Sequence, residues 1–116
     1  MPRDIGELEN PKKSAFSLEY YDSSWELEYM EELENDPKAR KWTKNHSIHI
    51  KYFDEDNKFR TFRPDFLIEY DDGSIELHET KGTHLMNSPR NEKKVKAARE
   101  WCKVRNMKFR IISKYD

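Results

Sequence analysis

This sequence predicts a mixed α/β (α+β) fold: an antiparallel meander extended by one parallel strand, the whole sheet flanked by helices. Three observations carry that expectation. Two segments, 23–35 and 88–106, place apolar residues at helical spacings of three and four. Between them lie "HSIHIKYF", in which Ile48, Ile50 and Tyr52 alternate with polar residues, then "FRTFRPDFLIEY" and "SIELHETK", which read as the next two strands, joined by the hairpin signal Asp71-Asp72-Gly73. After the second helical segment comes the isoleucine-rich "MKFRIIS". A strand, a crossover helix and a further strand imply parallel pairing with a right-handed connection.

Residues 1–20 contain Gly6, Pro11 and Lys12-Lys13 without clear periodicity, and read as an N-terminal arm with a short strand at "AFSLEYY". Residues 21–116 read as the domain proper. Its first helix carries the stripe Trp25, Tyr29, Met30 and Leu33, with Ser23 and Glu26 spaced as a capping box. Asn35-Asp36-Pro37 ends it, because the residue before proline avoids helical geometry. In the meander, Ile48, Ile50 and Tyr52 share one face of the first strand, and "DEDNK" turns the chain into the second. Ser88-Pro89 starts the second helix as cap and first helical residue. Its apolar face is Val95, Ala98, Trp101 and Cys102, and it runs to about Asn106.

The chain has 116 residues, enough for one domain around one core. Only 34% of residues are hydrophobic and 39% are charged, which predicts a thin core dependent on aromatic side chains. The formal net charge of −1 hides a segregation: residues 1–37 carry 3 basic and 11 acidic side chains, residues 38–80 carry 8 and 9, and residues 81–116 carry 11 and 3. A basic C-terminal third suits a polyanionic partner; the competing reading is a solvated helix face that pairs with the acidic N-terminal segment. The lone Cys102 excludes an internal disulfide and a cysteine-based zinc site, and points to a reducing compartment. No apolar run approaches the roughly 20 residues of a membrane span, and the polar start "MPRDIGELEN" is unlike a signal peptide, so a soluble cytoplasmic protein is expected.

The chemistry concentrates in 63–82. Side chains alternate across a strand, so Glu79 and Lys81 point to one face while Glu76, His78 and Thr80 point to the other. Folding back around Asp71-Asp72-Gly73 brings Asp65 to the same strand end. Two carboxylates converging there form a hard oxygen site suited to Mg²⁺, with Mn²⁺ as a substitute. An ammonium two residues on can orient a water or stabilise charge on a phosphate in transit. Each piece alone has a plain structural alternative: a strand cap for Asp65, an exposed charge pair for Glu79 and Lys81.

Taken together, "FRPDFLIEY" and "IELHETKG", with "DSSWELEYMEELENDPKARKW" upstream and "KKVKAAREWC" downstream, resemble the PD-(D/E)xK nuclease superfamily, and within it the branch of TnsA-type transposon end nucleases and small phage nucleases. The resemblance covers residues 22 to 112 and implies a restriction-endonuclease-like core. It implies metal ligation by Asp65, Glu79 and the main-chain carbonyl of Thr80, with Lys81 as the catalytic lysine. Glu26 matches the acid that many members carry on the first helix; its competing role is to accept the Ser23 N–H in the capping box. The implied function is Mg²⁺-dependent DNA endonucleolysis directed by DNA structure or by a partner, in a bacterial or phage-infected cytoplasm. The alternative is a catalytically silent nucleic-acid-binding or assembly protein that retains the fold. A homodimer or a targeting protein partner is expected, because a duplex has two strands and the chain supplies one site. Lys93, Lys96 and Arg99, spaced by three on the second helix, are the candidate phosphate contacts, with Lys94 about 100° round from Lys93 and contributing less. His78 reads as structural or surface, and His84 as an exposed loop residue.

Overall fold

The computed structural model describes residues 5–82 and 88–114. The elements in chain order are β1 (Gly6–Glu9), β2 (Leu18–Tyr21), α1 (Ser24–Asn35), β3 (Ala39–Thr43), β4 (Ile50–Phe53), β5 (Phe59–Phe62), β6 (Phe66–Tyr70), β7 (Ile75–Gly82), α2 (Pro89–Lys103) and β8 (Lys108–Lys114). The central sheet has the order β3-β6-β7-β8, antiparallel throughout except for the parallel β7–β8 pair that closes over α2.

Alternation along β6 and β7 sorts the core onto two faces. Phe66 and Ile68 join Tyr29, Met30 and Leu33 of α1 and Trp42 of β3 on one side. Leu67 and Leu77 meet Ala98 and Cys102 of α2, Phe109 and Ile50 on the other. Both helices start as the sequence dictates: Ser23 Oγ accepts the Glu26 N–H and Ser88 Oγ accepts the Asn91 N–H, each at 3.1 Å. The β6–β7 turn requires Gly73, whose φ of 88° is the left-handed conformation that this three-residue hairpin loop needs.

Three details differ from the sequence-based expectation. The first strand of the meander is Ala39–Thr43, paired antiparallel with β6. The expected "HSIHIKYF" strand forms instead as β4, paired only with β5 in a separate two-stranded ribbon. The long run "FRTFRPDFLIEY" is therefore two strands, broken at Arg63-Pro64, because proline has no N–H for a ladder. Helix α2 also stops at Lys103, short of Asn106. The Met107 N–H turns back to the Cys102 carbonyl (2.9 Å), with Asn106 at a φ of 57°.

The segment read as an arm is a hairpin of β1 and β2 that lies against the domain. The Lys12 and Lys13 N–H groups donate to the Glu34 carboxylate, and buried Glu19 accepts from the Thr43 hydroxyl and the Lys44 N–H. Among the described residues, no helix is long and apolar enough to cross a membrane.

Candidate active site

The β6–β7 register pairs Phe66 with His78, which sets Asp65 beside Glu79 at the strand ends. The Asp65 N–H donates to Glu79 Oε1 (3.2 Å), and Asp65 Oδ2 accepts from both the Thr80 N–H and the Thr80 hydroxyl (2.9 Å each). Each carboxylate is thus fixed by the backbone of the other's strand. Lys81 lies on the same strand face as Glu79, with Nζ 3.9 Å from Glu79 Oε2. Lys94 reaches the same oxygen from α2, also at 3.9 Å, with its Nζ 4.8 Å from the centre of the Phe62 ring.

Glu26 closes the cluster from α1. It does not take the Ser23 N–H, as a full capping box would. Its carboxylate accepts the Asp22 N–H (2.9 Å) and pairs with Lys44, which follows β3. Lys44 is buried, lies 3.7 Å from Asp22 and stands 5.9 Å over the Phe66 ring. Five of the residues singled out in the sequence, Glu26, Asp65, Glu79, Thr80 and Lys81, therefore meet at one end of the sheet.

Charge is concentrated there in a poorly solvated place. Burial raises the Asp65 carboxyl above its ordinary range, and the Glu26 charge pushes it further; the Thr80 bonds and Lys44 oppose this. Burial, then repulsion from Asp65, pushes Glu79 up to about 7 against the pull of Lys94 and Lys81. Burial likewise lowers Lys94, with the Glu79 charge working the other way. An oxygen-only donor set under mutual repulsion has the chemistry of a hard-cation site.

Lys44 and Lys94 were missed in the sequence. Lys94 carried a usable signal, since it precedes Ala98 and Cys102 at spacings of four and lies on the stripe that faces the sheet. Lys44 carried none, because it follows a strand that the sequence did not announce. Lys93, Lys96 and Arg99 are exposed along the outer flank of α2, and Arg99 donates to the Phe109 carbonyl (3.2 Å). His78 is structural: it is buried between the Tyr29 hydroxyl (2.5 Å from Nδ1) and Glu76 (2.8 Å from Nε2), with Arg110 3.8 Å from that same carboxylate. His84 lies outside the described residues.

Among curated proteins and solved structures, none matches the chain significantly. The sequence model of one family, described as the TnsA-like endonuclease N terminal, matches residues 36–114. That span takes in Lys44, Asp65, Glu79, Thr80, Lys81 and Lys94 and leaves Glu26 outside it. With well over half of its length matched, the chain belongs to the family of TnsA-like endonuclease N-terminal domains.

Proposed function

We propose that this nuclease-type domain hydrolyses DNA phosphodiester bonds with Mg²⁺, or Mn²⁺ in its place. The observation that carries the reading is the pair Asp65 and Glu79, two partly buried carboxylates at neighbouring strand ends, each bonded to the backbone of the other's segment, with Lys81 beside them. Asp65 and Glu79 would hold the cation, joined by the Thr80 carbonyl, which leaves the strand on the same side as the N–H bonded to Asp65. A bound Mg²⁺ supplies Lewis-acid polarisation of the phosphate and a more acidic water. Lys81 orients that water and offsets charge growing on the phosphate. Lys94 adds positive charge at the same Glu79 oxygen from α2, and Glu26, held by Lys44, adds a third carboxylate. Lys93, Lys96 and Arg99 supply phosphate contacts on the approach. A second copy or a targeting partner presents the second strand. The silent-protein alternative finds no support in the residues, since the acid, acid and lysine positions are all filled.

The deciding experiment is an assay on linear, nicked and branched DNA. Wild-type protein should cut with Mg²⁺ or Mn²⁺ and stop in EDTA, while Lys81→Ala loses about 100-fold or more. Cleavage unaffected by EDTA overturns the reading.

A second result follows from Glu79. Its carboxyl titrates higher in the fold than its ordinary 4.5, so its contribution to stability is full at low pH and is lost as pH rises through about 7. A divalent cation binds only the ionised form and restores what was lost. Mg²⁺ should therefore raise Tm clearly at pH 8 and hardly at pH 5.5 in thermal unfolding scans. An equal Mg²⁺ shift at both values would mean that the cation binds elsewhere.

A further inference from the structure

The β4–β5 ribbon stands apart from the central sheet, and its two faces differ. Ile50, Tyr52 and Phe62 turn inward, Ile50 and Phe62 onto the α2 side of the core. By strand alternation Lys51, Phe53, Phe59 and Thr61 share the outer face, with Lys51 opposite Thr61 and Phe53 opposite Phe59. The two phenylalanines are 56% and 59% exposed and form an edge-on pair with centroids 5.4 Å apart. Lys51 Nζ lies 5.9 Å from the centre of the Phe59 ring. Two large aromatic rings held in water on a polar domain have no structural account in the fold.

The ribbon is firmly placed. Asp54, at its turn, accepts the Asp56 and Lys58 N–H groups and the Arg60 side chain, which hold its carboxyl down at about 2. Arg90, at the start of α2, lies 3.7 Å from Asp54 and 3.0 Å from Glu55. At its other end the ribbon runs into the candidate site: Phe62 touches Lys94, and Arg63-Pro64 lead directly to Asp65.

We infer that the outer face of this ribbon, Lys51, Phe53, Phe59 and Thr61, is a stacking platform for unpaired DNA bases, set at the turn end of a ribbon whose other end leads to the candidate site. Three features select that occupant. The rings offer π-faces, the cation over Phe59 matches a phosphate backbone, and Arg60 and Arg90 pair with Asp54 and Glu55 of the acidic turn that follows Phe53. A paired duplex hides its base faces, so the platform reads only nucleotides already out of the stack, at a flap, a frayed end or a branch. The inference rests on the nuclease reading and narrows its substrate to DNA carrying a single-stranded segment a ribbon's length from the cut.

The test measures binding and cleavage separately, with the whole chain. In EDTA, a labelled blunt duplex is titrated beside the same duplex carrying a single-stranded extension. Wild-type protein should prefer the extended duplex by about tenfold, a preference that persists at raised salt because stacking releases no counterions. Phe53→Ala/Phe59→Ala should lose the preference while keeping blunt-duplex affinity. Phe53→Leu/Phe59→Leu, which keeps apolar bulk without a π-face, should lose it too, and Phe59→Trp should keep it. Preference retained in both double variants overturns the inference. So does retention in the leucine variant alone, which signals plain apolar docking, or a change in oligomeric mass by light scattering in place of DNA selectivity. Mg²⁺-dependent cleavage without any preference sinks the platform and spares the nuclease reading, whereas preference without cleavage does the reverse.

Discussion

Asp65→Asn is expected to reduce cleavage by about 1000-fold or more while leaving a protein at least as stable as the wild type in the absence of metal. Asparagine keeps the shape and an acceptor for the Thr80 N–H and hydroxyl, so the strand ends stay joined. It removes the charge that a cation needs and, with it, the repulsion of Asp65 from Glu26 and Glu79. Sites built from like charges give up stability for function, and neutralising one member commonly returns about 1–2 kcal/mol. Single-turnover cleavage and urea unfolding read the two effects independently. The Glu79 carboxyl should also titrate lower in this variant, because the Asp65 charge is the second cause of its elevation. An active Asp65→Asn protein would remove Asp65 from the site, and one destabilised by several kcal/mol would make its buried carboxylate a structural group.

Lys44→Met is expected to destabilise the fold by about 3–5 kcal/mol, the range for breaking a buried ion pair by removing one partner. Lys44 and Glu26 are both nearly excluded from water, and losing the ammonium leaves Glu26, which already repels Asp65, without its ion-pair partner. The double variant Lys44→Met/Glu26→Gln should recover most of the loss, because it removes the uncompensated charge as well. Chemical denaturation of both single variants and the double closes the cycle. Additive losses would show that the two side chains do not act as a pair.

The residues that make the site were legible because their spacing is local. Asp65 and Glu79 sit on one hairpin whose turn is written as Asp71-Asp72-Gly73, and period-two alternation puts Lys81 on the face of Glu79. The countercharges were not legible, because they arrive from distant elements. Lys44 follows β3, whose "ARKWT" offers only Ala39 and Trp42 as buried positions, and a register shift between Ala39 and Lys41 breaks their alternation. A strand of that kind is defined by its partner β6 and not by its own pattern. "FRTFRPDFLIEY" misled in the opposite direction: both sides of Pro64 are strands, yet the two halves belong to different sheets.

The buried Tyr29–His78–Glu76 chain decides which face of β7 carries Glu79 and Lys81. A slip of β7 by a single residue would exchange its two sides, carrying Glu79 and Lys81 over to α1 and His78 to α2. Leu77 alone specifies this weakly, since either side offers an apolar layer. His78 specifies it strongly: only the α1 side provides the Tyr29 hydroxyl, and inversion would strand the imidazole among Ala98, Cys102 and Phe109 without a partner, at a cost of about 1–3 kcal/mol for each orphaned polar group. The histidine next to Glu79 thus works as a key that fits one way round, and Glu79 and Lys81 keep to their face because their neighbour cannot leave its own.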